Sequence, residues 1–126
     1  MTQQLEKLFE GDPYQRDCPT RQVLDRIGDK WTVLLVGAME NGPVRFGDLA
    51  RIVDGISQKM LTQTLRSLER DGIVKRTVYP EIPLRVEYEL TEVGNTLREP
   101  LKFLEMWAVS NFDSIVQARQ AHDSSL

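Results

Sequence analysis

The chain has 126 residues, 40% hydrophobic and 28% charged, which fits one soluble domain with a real core and leaves no room for a second. No apolar run nears the roughly 20 residues that cross a bilayer, and MTQQLEKLFEGD at the start lacks the basic and apolar regions of a secretory signal, so a cytoplasmic protein with no membrane partner is expected. One Cys and one His exclude an intrachain disulfide and a Cys/His zinc cluster; a Ser/His/Asp triad would have to use His122 in the polar tail, and a net charge of −3 counts against nucleic acid if taken alone.

Taken in chain order, Pro19 fits the first position of a short helix, PTRQVLDRIG, with Val23, Leu24 and Ile27 at helical spacing. Gly28 ends it and Asp29 caps the next. That helix, Lys30 to Glu40, sets Trp31, Leu34, Leu35, Ala38 and Met39 on one side and is expected to be the central core helix. Asn41, Gly42 and Pro43 stop it, and Val44 with Arg45 is read as a very short strand. A short helix from Phe46 to Val53 is expected to turn Phe46, Leu49, Ile52 and Val53 inward, before Asp54 and Gly55 make a tight turn.

Ser57 then caps a helix that runs to Arg70, with Gly72 closing it. At about 100° per residue, Leu61, Leu65 and Leu68 share one narrow face, while Lys59, Thr62, Gln63, Arg66 and Arg70 occupy the other. Two helices joined by a Gly-containing turn form a helix-turn-helix, over about 46–71. The polar arc holds Thr and Gln beside cations, groups that bridge base edges or phosphates; in isolation, a surface helix of mixed polar residues would look the same. Charge distribution favours the first reading: residues 57–85 carry six basic and three acidic side chains, a net +3, whereas 86–126 are at −4 and 1–56 at −2.

Ile73 to Tyr79 reads as a strand, Pro80 to Pro83 as a turn, and Leu84, Val86, Tyr88 and Leu90 as the apolar face of a return strand whose other face carries Arg85, Glu87 and Glu89. A hairpin is marginal alone, so its apolar face must lie on the helices. This is a wing, over about 73–90. Thr91 caps a long helix, roughly Glu92 to Ala118, with a kink or break expected at Pro100. Along it Val93, Leu97, Leu101, Leu104, Ala108, Phe112 and Ile115 repeat at spacings of 3 and 4, and Phe103, Met106, Trp107 and Val109 add a second apolar surface. The excess is read as a partner surface.

The blocks CPTRQVLDRIGDKWTVLLV, RFGDLARIVDGISQKMLTQTLRSLERDGIV, RVEYELTEVG and the terminal LEMW stand in an order and spacing that resembles the HxlR family of bacterial winged helix-turn-helix transcriptional regulators. The resemblance covers nearly the full length. It implies an α+β, mainly α fold: one winged helix-turn-helix domain over 1–126, with a two- or three-stranded wing and a C-terminal dimerisation helix, about 92–118, joined by the N-terminal segment 1–28. It also implies a homodimer on inverted-repeat operators in double-stranded DNA, acting as a repressor or an activator. Ser57, Gln58, Lys59, Thr62, Gln63 and Arg66 would read the major groove, with Arg85 and Arg76 on the wing at the backbone or minor groove. The dimer interface would hold Leu101, Leu104, Trp107, Ala108, Phe112 and Ile115.

Several relatives sense oxidants or electrophiles through a cysteine at the place of Cys18. A helix N-terminus with Arg16 and Arg21 nearby favours thiolate there, and Asp17 opposes it. An inert, partly buried small side chain is the other reading of Cys18. A winged helix that docks a protein partner is the rival to DNA binding, although the polar arc offers no apolar anchor. No catalytic residue, metal site or cofactor is expected, and a small-molecule or oxidant signal stays open.

Overall fold

The computed structural model describes residues 14–125. Helix α1, Pro19–Ile27, begins with Pro at its N-terminus, where a missing N–H is no loss. Helix α2, Lys30–Ala38, is capped by Asp29, whose carboxylate accepts from the Trp31 N–H at 2.8 Å. Strand β1, Val44–Arg45, leads into α3, Phe46–Ile52, and Gly55, at φ 88°, makes the turn that only glycine adopts without strain. Helix α4, Gln58–Arg70, opens on Ser57, whose hydroxyl oxygen accepts from the Met60 N–H at 3.0 Å.

Strands β2, Val74–Tyr79, and β3, Arg85–Leu90, form the wing, and β1 completes a three-stranded antiparallel sheet in the order β1-β3-β2. Arg45 lies opposite Glu87, Arg76 opposite Tyr88, and Tyr79 opposite Arg85. A short α5, Glu92–Thr96, is capped by Thr91, and α6, Arg98–Ser124, ends the described chain. A Cβ on Gly94 would lie 2.1 Å from the Ile73 carbonyl oxygen, so only glycine lets α5 seat against the start of the wing. Among the described residues no helix is long and apolar enough to cross a membrane.

The core joins Leu35 and Val36 of α2 and its C-cap Met39, Leu49 of α3, Leu61, Leu65 and Leu68 of α4, Tyr88 and Leu90 of β3, and Leu101 of α6. The Phe46 and Tyr88 rings, 6.4 Å apart, tie α3 to the sheet. The predicted winged arrangement is therefore present, with four departures. Helix α2 turns Thr32, Leu35, Val36 and Met39 inward and leaves Leu34 exposed, because KWTVLLVGA is apolar on nearly every side and its pattern selects no face. Ile52 and Leu84, both expected inside, are exposed as well.

The break in the C-terminal helix falls at Leu97, and Pro100 is the third residue of α6, in the first turn, where backbone N–H groups have no helical partner to lose. The helix then runs to Ser124, six residues beyond the expected end. Finally, Leu101, expected at the dimer interface, is buried in the chain's own core at 5% exposure. The first turn of α6 anchors on α2, and Leu101 is the anchor.

Candidate nucleic-acid interface

Helix α4 is fixed from below by Leu61, Leu65 and Leu68, all at 1% exposure or less, with Thr64 beside them. Its opposite face presents Gln58, Lys59, Gln63 and Arg66 to solvent, and Thr62 half-buried at the edge. Among the described residues neither Lys59 nor Arg66 has an acidic partner within 4 Å, so both charges are available to a ligand. Ser57 is also exposed, but its oxygen already caps the helix.

The sheet register decides what the wing adds. Arg76 lies on the same face as Val74, Val78, Val86 and Tyr88, the face turned toward the helices, because cross-strand partners and alternate residues share a side. It lines a cleft of about 330 Å³ with Thr62, Arg66, Glu69, Phe46 and Tyr88. The reading helix and one wing arginine thus converge on one concave surface.

Arg85 lies three residues of register away from Arg76 and so on the other face of the sheet. Its guanidinium pairs with Glu81 at 3.1 Å and Glu87 at 3.4 Å, and stacks 3.8 Å from the centre of the Tyr79 ring. The predicted pair of DNA-facing wing arginines is therefore split: Arg76 is available, whereas the charge of Arg85 is engaged inside the wing. Sequence reasoning missed Arg45. It is exposed, without an acidic partner within 4 Å among the described residues, and lines a second cleft of about 430 Å³ with Phe46, Arg76, Leu84 and the paired Glu81 and Arg85. The signal available was its place immediately before the first helix of the helix-turn-helix, in a strand too short to assign a pairing partner.

A helix-turn-helix whose second helix exposes an unpaired polar and basic face, next to a three-stranded wing, matches what comparison with known proteins returns. The HxlR-like helix-turn-helix family model matches residues 26–116. The chain belongs to this family. HxlR-like proteins are helix-turn-helix transcriptional regulators and not enzymes, and that is the class of this chain. It is 39% identical over 114 residues to the HTH-type transcriptional regulator YtfH of Escherichia coli K12, covering 90% of each chain. The solved structure of the ytfH regulator from Salmonella typhimurium is similar at a TM-score of 0.81 and 37% identity, over 87% of this chain and 98% of that one. The redox regulator HypR in its oxidised form is similar at a TM-score of 0.69 and 47% identity, over 75% and 97%.

Two further features of this HxlR-like chain bear on its site. Past Leu101, α6 buries no residue, and Phe103, Leu104, Met106, Trp107, Val109 and Phe112 are each 55–75% exposed. Ala108 is exposed and Ile115 half-buried. The expected interface residues other than Leu101 thus stand on the largely exposed part of α6. The other part of the expected dimerisation unit, segment 1–28, is described only from residue 14; its α1 exposes Val23 and Leu24.

Cys18 is the N-cap residue of α1 and is a free, buried cysteine. Of the two arginines expected near it, Arg21 donates to the Tyr14 carbonyl at 3.2 Å. At the far end of α1, Arg26 pairs with Asp71, the C-cap of α4, at 3.0 Å. One ion pair therefore connects the helix that begins at Cys18 to the end of the reading helix.

Proposed function

We propose that the protein is a homodimer that binds inverted-repeat operators in double-stranded DNA and regulates transcription there, as repressor or activator. Helix α4 enters the major groove, with Gln58, Lys59, Thr62, Gln63 and Arg66 against base edges and phosphates, while Ser57 holds its first turn in shape. Arg76 on β2, and Arg45 on the opposite edge strand, meet the backbone alongside. The observation that carries the reading is the unpaired face of α4 set against Arg76 across a single cleft. Exposed apolar anchors, which a protein-docking face needs, are nearly absent there: Met60 is the one large hydrophobic residue of α4 that is exposed. Dimerisation through α6, with α1, is supported by the uncovered aromatic strip, which a second copy would bury.

Selection from random duplexes with the purified protein tests this directly. The expected product is an inverted repeat whose half-sites lie about one helical turn, or a multiple of it, apart. Enrichment of no sequence, or of a site without symmetry, contradicts it.

A second reading concerns the signal. We propose that Cys18 responds to oxidants or electrophiles, an idea supported by the similarity to a redox regulator and by the Arg26–Asp71 link from α1 to α4. Because the thiol is buried, its modification has to displace α1. Oxidant-induced release from the selected DNA, lost in Cys18→Ser, is the expected result; release that persists in that variant removes Cys18 from the sensing role.

A further inference from the structure

The wing tip is tied together by one side chain. Tyr79 and Arg85 are the last facing pair of the β2-β3 ladder, and between them the loop Pro80 to Leu84 carries a fully exposed Ile82 and a largely exposed Leu84. None of its residues belongs to the hydrophobic core of the described chain. Arg85 holds the loop from three sides: its Nη2 meets Glu81 within the loop, its Nη1 meets Glu87 further down its own strand, and its plane lies on the Tyr79 ring of the neighbouring strand. Only 27% of the side chain is exposed. A planar guanidinium donates edge-on to two carboxylates while its face stacks on a ring, whereas an ammonium is a point charge with no plane to stack.

We infer that Arg85 is a positioning residue for DNA binding: it preshapes the wing tip and leaves the phosphate contact on the wing to Arg76, which lines the cleft with α4 from the opposite face of the sheet. The inference rests on the DNA-binding reading above and inverts the sequence expectation for this residue. A phosphate contact by Arg85 would require it to leave two carboxylates and a ring. As a strut it lowers the cost of ordering the loop when the complex forms, which is how preorganisation raises affinity.

The test compares Arg85→Ala, Arg85→Lys and Arg76→Ala in the full chain on a short duplex carrying the selected repeat, over a range of salt, with amide hydrogen exchange of residues 79–86 measured without DNA. Both Arg85 variants are expected to lose about three- to tenfold in affinity with an unchanged salt slope and faster wing exchange. Arg76→Ala is expected to reduce the slope by about one and leave wing exchange as it was. Near wild-type binding by Arg85→Lys, with a slope lowered by about one in Arg85→Ala, would make Arg85 a direct phosphate contact and overturn the inference. Unchanged affinity in both Arg85 variants, or unchanged wing exchange, overturns it equally. A wild-type protein that binds no duplex sinks the parent reading as well, and shows this before any variant is compared.

Discussion

Helices α4 and α6 are both amphipathic in sequence, yet the fold treats them in opposite ways. Over its 13 residues α4 buries every leucine and exposes a polar face. Over 27 residues, about 40 Å of helix, α6 buries only Leu101 and exposes its aromatic residues. The first has its apolar face satisfied within one chain, so its other face is free to bind a polar ligand. The second leaves its apolar residues exposed, the surface that the proposed dimer would bury. The difference teaches that the same pattern is buried in one helix and left exposed in the other, and that what separates them is the presence of a second layer to cover the apolar side.

Substitutions at matching chemistry on the two helices should behave differently. Leu65→Ala is expected to have the largest effect on folding, about 2 to 5 kcal/mol by chemical denaturation, because the side chain is fully enclosed. Trp107→Asp combined with Phe112→Asp should leave the denaturation midpoint of the separated chain within a small margin of wild type while abolishing the dimer in sedimentation; a dimer that persists would move the interface elsewhere. Next in size, Gln63→Ala or Arg66→Ala should weaken operator binding by about 1 to 3 kcal/mol if the side chain meets a base, with stability unchanged. Wild-type affinity would remove that residue from the reading face. The smallest effect is expected from Ser57→Ala, about 1 kcal/mol of stability from the lost cap.

Much of α4 was legible in the sequence because a leucine stripe and a Ser cap are local signals, and the structure reproduces both. The Asp29 and Thr91 caps were legible for the same reason. Helix α2 was not, since an all-round apolar segment carries no period, and its inward face is chosen by what packs against it: Thr32 and Val36 are inside and Leu34 is not. Pro100 read as an interruption because the place where α6 begins depends on Leu97, which has no cap signature of its own. Leu101 could not be told from Leu104, as both lie in the same repeat and only the docking of the first turn on α2 separates them.

The wing shows the same limit at the level of the site. Alternation placed Arg85 on the polar face of its strand correctly, but its two carboxylate partners and its ring depend on the register across the turn. Arg45 comes to line a cleft with wing residues only through pairing of β1 with β3. Charge is legible residue by residue; whether it is free is a property of the fold.

The central claim is that α4 reads DNA as one half of a symmetric pair. The most direct measurement is to repeat the duplex selection with Arg66→Ala and compare base preferences position by position with those of the wild type. The account predicts that preference weakens at two positions related by the dyad of the repeat, while the rest of the site is retained. Preferences that stay the same at every position, or change in one half of the site alone, would contradict it.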